Sequence, residues 1–512
     1  MVRLRVLAVV AVAAMGLSAC GAGGSSDNSE KAPAIGNGAP AAPNGPAGSP
    51  PAVAAPADEG ATGAAGAAAG ERSVTDQPIS TFAVDVDTAS YSFAKRQLLA
   101  GQRPSAGTIR PEEFVNAFQQ GYRQPTGNGF AVTADGTHLP SSHRGATDTM
   151  RLLRVGLQTR GETDGQRRDA ALTFVVDVSG SMAEPGKLDL VQSGLHTLVG
   201  QLRPTDSVAL IAYADEAEVL RPMTPVNDRN ALNTAIDRLR VQGSTNLEAG
   251  LRLGYDTARK GFRSEATNRV ILLSDGLPNV GVTDASPLVH EIQEAAAKQI
   301  TLLGVGVGSD YGDKFMEQLA DKGDGYVVYV SDPSEAAKVF VEQLPSTLAV
   351  RALDAKAQVE FDPKTVLSYR LIGYENRTLS ASAFRNDRVD GGEVGPGHAV
   401  TALYALHLRP GAGGHLADVR VRWQDPQSKE AGEQTQPVTV GAIDGSFAES
   451  TTPLRVCYTA AYLAEVLRGS QFASEVRLPD LLEIAGDALR STNDQQRTDL
   501  TNMISAATKL YA

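Results

Sequence analysis

Residues Leu172–Met182 read "LTFVVDVSGSM", and this stretch decides the fold. A mostly apolar run leads straight into short oxygen side chains. Asp177, Ser179 and Ser181 stand at i, i+2 and i+4, with Gly180 between the two hydroxyls. A short, nearly continuous apolar run fits a strand covered on both faces. Open α/β sheets place their ligand sites outside the carboxyl ends of such strands. The polar cluster therefore sits where a site would be, and other loops on the same edge must supply its partners.

The surrounding pattern supports that reading. From about 168 to 347, apolar strands alternate with helical segments. The strands are expected at Ala171–Val178, Ser207–Tyr213, Arg269–Ser274, Ile300–Val307 and Gly325–Val330. In "KLDLVQSGLHTLVGQL", Leu188, Val191, Leu195, Leu198 and Leu202 recur at three and four residues, a stripe facing the core. "DPSEAAKVFVEQL" predicts a helix capped by Asp332 with Pro333 at its first position. The expected fold is α/β, a doubly wound, mostly parallel, Rossmann-like sheet.

Two further loops on the expected carboxyl edge carry matching groups. "QGSTNLEAGL" places Thr245 in a polar turn before a helix, and "VILLSDGLPN" ends a strand at Asp275. Capping and turn chemistry would explain any one of the three loops alone. Three on one edge point to a shared ligand. Asp177, Ser179, Ser181, Thr245 and Asp275 are hard oxygen donors, two charged and three neutral. They suit Mg²⁺, with Mn²⁺ or Ca²⁺ as substitutes. No His or Cys stands in these loops, which argues against zinc or copper.

Catalytic readings of the same residues fail. A haloacid-dehalogenase-type phosphatase needs Asp-x-Asp, and Ser179 takes the second position. "DVDTA" at Asp85–Ala89 has the pair, but Ala89 stands where Thr or Val is expected. "GSMAEPGKL" imitates a phosphate loop with one residue too many and with Leu188 in place of Ser or Thr. "GVGVGS" from Gly304 lacks the dinucleotide spacing. Ser179 and Ser181 lack the Gly-x-Ser-x-Gly elbow of a serine hydrolase. His196, His290, His398 and His407 are scattered singly. The chain is not expected to be an enzyme.

"DVSGSM", "GSTN" and "SDG" together resemble the metal-ion-dependent adhesion site (MIDAS) of von Willebrand factor A (vWA) domains. The resemblance implies that Ser179, Ser181 and Thr245 lend hydroxyls to the metal. Asp177 and Asp275 would bind directly or through water. The flanks, "VDVDTASYSFAKRQLLAGQRPSAGTIRPEEFVNAF" and "YRLIGYENRTL" with "GEVGPGHAVTALY", resemble the bacterial YfbK-type vWA lipoproteins. That family implies an extracytoplasmic lipoprotein with modules on either side of the vWA domain.

The N-terminus agrees. Arg3 and Arg5 precede an apolar run, and "LSAC" resembles a lipobox ending at Cys20. Residues 1–19 are the expected signal peptide and Cys20 the expected lipidation site. Stable anchoring takes more than one acyl chain. Residues 20–74 are rich in Ala, Gly and Pro and are expected to form a disordered tether spanning roughly 40 Å. An N-terminal α+β module follows at 75–165, then the vWA domain at 166–347. A C-terminal module at 348–512 is expected to be β-rich to about 450 and helical thereafter. The remaining cysteine, Cys457, is expected to be a small buried hydrophobe.

The chain has 512 residues and a formal net charge of -12. No cationic surplus is available to neutralise phosphates, which excludes nucleic acid as a partner. The expected function is divalent-metal-dependent protein–protein interaction at the extracytoplasmic face of a cell membrane. A partner's acidic side chain would complete the metal shell. The alternative is a scaffold or assembly factor of an envelope complex, with the metal purely structural.

Overall fold

The computed structural model describes residues 70–84, 88–161, 168–276, 286–308, 316, 319–320, 322–323, 325, 327–330, 336, 339–340, 351–387, 389, 391–426, 428–489 and 495–511. The expected signal peptide, Cys20 and the tether up to residue 69 lie outside these residues. So do Asp85, Asp87, Asp332 and Pro333. Among the described residues no helix is long and apolar enough to cross a membrane.

The chain opens with β1 (Arg72–Ser73), β2 (Ile79–Ala83), α1 (Ala89–Leu99), α2 (Pro111–Asn116), β3 (Phe130–His138) and β4 (Met150–Thr159). The α/β region follows as β5 (Asp169–Asp177), α3 (Leu188–Gln201), β6 (Ser207–Tyr213), β7 (Ala217–Pro225), α4 (Arg229–Ile236), α5 (Leu247–Lys260), β8 (Ala266–Ser274), α6 (Ser286–Ala297), β9 (Ile300–Val307) and β10 (Val327–Val330). Next come β11 (Leu353–Phe361), β12 (Val366–Leu371), β13 (Thr378–Leu379), β14 (Ala399–Leu408), β15 (His415–Gln424) and β16 (Ala431–Thr439). The C-terminal helices are α7 (Thr452–Leu467), α8 (Leu478–Leu489) and α9 (Gln495–Leu510).

The central sheet has the order β10-β9-β8-β5-β6-β7. All its pairings are parallel except β6 with β7. Both faces are covered, as the apolar runs require. Leu172, Phe174 and Val176 of β5 pack toward α3 and α4, while Val175 packs toward α5 and α6. Asn246 caps α5 by accepting from the Ala249 N–H at 3.2 Å. Arg259 and Lys260 close the same helix, complementing its dipole. Gly254 lets α5 lie close on β5, because a Cβ there would meet Val175 Cγ2 at 2.4 Å.

The edge strand β7 was not anticipated. Its sequence "AEVLRPMTP" contains two prolines and is largely exposed, the composition an edge tolerates. Helix α2 does have proline at its start and acidic residues in its first turn. However, Glu112 and Glu113 are buried rather than solvated. The Glu113 carboxylate accepts from the Ser90 N–H at 2.7 Å, joining α2 to α1.

The flanking segments do not form separate modules before and after the α/β domain. One sheet has the order β1-β12-β14-β4-β3 and the other β13-β2-β11-β15-β16. Each combines strands from both ends of the chain. β14 pairs with β4 over nine residues, and β11 pairs with β2. The sheets share one core that includes Phe82, Leu153, Val155, Val359, Phe361, Tyr404 and Val421. The outer face of the first sheet, through Leu152, Leu403 and Ala405, packs on α1, α2 and the C-terminal helices. The α/β domain is thus an insertion between β4 and β11. Ordered chain also starts earlier than 75, because β1 pairs with β12 and Val74 is buried in the sandwich core.

Candidate metal centre

Strand β5 lies between β8 on one side and β6 on the other, so the chain's winding reverses there. The carboxyl end of a strand at such a switch point is open, since helices depart from it in opposite directions. Asp177 is the last residue of β5, and Ser179 and Ser181 follow in a tight turn. Asp275 follows β8 directly, and Thr245 immediately precedes the cap of α5.

Asp177 is fully buried and its carboxylate is held on both oxygens. Oδ1 accepts from the Ser179 N–H at 2.8 Å. Oδ2 accepts from the Ser274 hydroxyl at 2.7 Å and from the Tyr213 hydroxyl at 3.3 Å. Burial raises its pKa above the usual carboxylate range, and the Asp275 charge adds to that shift. The hydrogen bonds oppose the shift without cancelling it. An ionised Asp177 therefore favours a nearby cation.

A continuous chain of oxygens runs across the turn. Ser179 Oγ lies 3.1 Å from Ser181 Oγ, and Ser181 Oγ donates to Asp275 Oδ1 at 2.8 Å. Adjacent ligands around an octahedral Mg²⁺ stand about 3.0 Å apart, given metal–oxygen distances of about 2.1 Å. The oxygens thus already have the spacing of ligands on a small dication. Ser179, Thr245 and Asp275 are all at least nine-tenths buried, whereas Ser181 and Gly180 are exposed. The site is walled below and open above.

Backbone bonds bring the Thr245 loop to the same place. The Gln242 N–H donates to Val178 O at 2.6 Å, the Gly180 N–H to Gly243 O at 3.0 Å and the Asn246 N–H to Ala214 O at 2.8 Å. Gly243 sits at φ +62°, and a Cβ there would lie 2.1 Å from Asp215 Oδ2. Asp215 Oδ1 in turn accepts from the Ser244 N–H at 3.1 Å. This loop can follow its path only with glycine at 243.

The five expected residues therefore converge on one strand edge. The structure adds four supporting residues: Ser274, Tyr213, Asp215 and Lys187. Lys187 Nζ lies 2.8 Å from Asp275 Oδ2 and 2.9 Å from Glu184 Oε2. Its ammonium is largely buried, and the two carboxylates raise its pKa above the ordinary lysine value against the cost of burial. Among the described residues no three or more His, Cys, Asp or Glu side chains form a metal-holding group. The donor set here is of a different kind, with hydroxyls in the majority. Cys457 is buried, and its thiol donates to Gln120 Oε1 at 3.1 Å.

A doubly wound sheet with these three loops at its switch point defines a von Willebrand factor type A domain, and the model of that family matches residues 171–343. Residues 346–510 match the family described as "Uncharacterized protein YfbK, C-terminal", and 65–146 match one described as "von Willebrand factor". The chain is 31% identical to "Uncharacterized protein YfbK" of Escherichia coli (strain K12) over 464 residues, 85% of this chain and 79% of that one. It belongs to the YfbK family of vWA proteins. Over 189 residues it is also 28% identical to "Inter-alpha-trypsin inhibitor heavy chain H1" of Bos taurus, covering 35% of this chain and 21% of that one. Among solved structures, "von Willebrand factor type A from Catenulispora acidiphila" aligns over 77% of this chain and 89% of that one, at 18% identity and a TM-score of 0.44. A vWA domain points to protein–protein interaction or a scaffolding role.

Proposed function

We propose that the protein is a membrane-anchored, extracytoplasmic adhesion module whose vWA domain engages a protein partner through a divalent cation. The observation that carries this reading is the chain of oxygens Ser179–Ser181–Asp275 at ligand spacing, closed by buried walls and open at Ser181. Mg²⁺ is the ion of choice, with Mn²⁺ or Ca²⁺ as substitutes. Ser179, Ser181 and Thr245 would hold it through hydroxyls, and Asp177 and Asp275 would supply the negative charge. The ion itself contributes an electrophilic point at which a partner's Asp or Glu can bind. Asp177 serves mainly by orienting the turn, since both its oxygens already accept bonds from the surrounding walls.

Affinity would come from the surface around the ion, with the ion setting specificity and divalent dependence. The chain carries no enzymatic step in this reading. Cys20 supplies the lipid anchor, and the tether carries the folded part away from the membrane. Capture of a cross-linked partner by the anchored protein tests the interaction. It should fail in EDTA, return with Mg²⁺ and fail in Asp177→Ala. Capture indifferent to all three would overturn the metal-bridged reading. Cys20→Ser should release the protein from the membrane fraction.

One observation favours a second reading. The vWA domain is inserted into a two-sheet body built from both ends of the chain. Such a frame holds the domain on two connections and suits a scaffold in an envelope complex. In that case EDTA would lower stability without affecting capture.

A further inference from the structure

A cleft of about 330 Å³ lies at the opposite end of the vWA sheet from the metal centre. One wall is the start of β8, with Thr267 and Arg269, together with Gln299 and Thr301 at the entry to β9. The other wall belongs to the sandwich, with Asp354 from β11 and Lys429 from the turn between β15 and β16. Arg269 and Asp275 are six positions apart along β8 and its exit, so the two sites stand roughly 20 Å apart. The volume lies within the range of small-molecule sites, and domain junctions are where such sites concentrate.

The charges in this cleft are unevenly matched. Each carboxylate of the wall already has a cation of the protein against it. Asp354 pairs with Lys356 at 2.8 Å, Asp387 with Arg422 at 2.8 Å and Glu393 with the buried Arg269 at 3.3 Å. Two lining cations have no carboxylate partner among the described residues. Among the described residues Arg168 donates to backbone carbonyls alone, those of Glu265 at 3.1 Å and Ser264 at 2.6 Å. The Lys429 ammonium is exposed and pairs with no described side chain. Two neutral donors, the Thr267 hydroxyl and the Gln299 amide, also line the space without a described side-chain partner. The lining holds three cations and three carboxylates, but Lys356 and Arg422 from behind it already pair with Asp354 and Asp387. The donors left over in the cleft are those of Arg168 and Lys429, and these call for an anion.

The geometry points to a binding site for a small organic dianion, a phosphomonoester or a dicarboxylate, held between the vWA domain and the sandwich by Arg168 and Lys429. Arg269 is already committed to Glu393 and Thr301, so it shapes the floor rather than supplying the free charge. A ligand here would touch both bodies at once and so stabilise their junction.

The test is a thermal-shift and calorimetric titration of the full chain, stripped of divalent ions with EDTA and then dialysed free of the chelator. The probes are inorganic phosphate, succinate, neutral glycerol and sodium chloride at matched ionic strength. At least one dianion should bind saturably and raise the melting temperature, while glycerol and chloride do not. Binding of phosphate alone assigns a phosphomonoester, and binding of succinate alone a dicarboxylate. The double variant Arg168→Gln/Lys429→Gln should stay folded by circular dichroism and bind the active dianion at least tenfold more weakly, and Lys429→Gln alone should weaken binding in the same direction. No saturable binding of either dianion, an equal effect of chloride, or unchanged affinity in the double variant would each overturn the assignment. Because the protein is free of divalent ions throughout, none of these results bears on the metal reading.

Discussion

Lys187 Nζ stands 2.8 Å from Asp275 Oδ2, and both side chains are more than nine-tenths buried. One of the two carboxylates of the candidate metal centre is thus held by a cation from its own chain. Gly308, at φ +97°, closes over the lysine stem, where a Cβ would meet Lys187 Cε at 2.9 Å. With Asp177, Asp275 and Glu184 set against Lys187 and one dication, the loaded centre would be close to neutral. Preference for an acidic partner would then come from the open position on the ion and not from a net charge of the site.

The lysine has two opposing effects, and Lys187→Met separates them. In EDTA the variant leaves Asp275 buried without its cation, which costs about 3 kcal/mol. With Mn²⁺ present, removal of the competing charge should tighten metal binding about tenfold or more. Chemical unfolding and calorimetric titration read the two effects independently. Weaker metal binding in Lys187→Met would show that the lysine organises the site instead of competing for it.

Gly243→Ala tests the positioning of the Thr245 loop. The substitution forces a left-handed alanine, costing about 1–2 kcal/mol, and drives its Cβ into Asp215. Metal affinity should fall while the sandwich stays folded, read by titration alongside circular dichroism. Unchanged affinity would mean that Thr245 is placed by other contacts.

Glu465→Ala addresses the frame that carries the vWA domain. Glu465 Oε1 lies 2.9 Å from the Arg370 guanidinium, and Arg468 binds the same carboxylate. Removing it leaves two guanidiniums without their anion at the junction of β12 and α7. The expected loss is about 3–5 kcal/mol in chemical unfolding. A loss below about 1 kcal/mol would show that Glu375 and Glu475 take over.

Acid sensitivity should pass through His143. Burial and the Arg370 charge push its pKa down to about 4. Its ring faces Tyr458, Tyr462, Glu475 and Arg370. In the unfolded chain the imidazole titrates near 6.5, so the unfolded state binds more protons between about pH 4 and 6.5. Stability is present above that window and falls as pH drops through it, by up to about 3 kcal/mol. Glu475, whose pKa is raised by burial, works in the opposite sense. His143→Gln should flatten the stability profile between pH 7 and 5, and equal slopes in the two proteins would refute the assignment.

The α/β domain and its five oxygens were legible because both signals are local. Ala171–Val178 shows its burial on two faces through composition, and Asp177, Ser179 and Ser181 share one turn. The supporting shell was not legible. Ser274 and Tyr213 reach Asp177 through sheet pairing, and nothing in their own neighbourhoods marks them. Lys187 was visible only as the lysine of a failed phosphate loop; the turn at Gly186 (φ +86°) precedes it and α3 begins just after. The two-sheet frame was hidden for a related reason. Alternation along "DAKAQVEF" shows that β11 has two faces, but not that Val359 pairs with Ser80 near the other end of the chain.

The most direct test of the central claim is calorimetric titration of EDTA-stripped protein with Mn²⁺, wild type against Ser179→Ala. Wild type should bind one divalent ion at the vWA domain. Ser179→Ala should lose that binding while keeping the melting temperature of stripped wild type. Absence of saturable binding in wild type, or equal affinity in Ser179→Ala, would contradict a metal centre built from Asp177, Ser179, Ser181, Thr245 and Asp275.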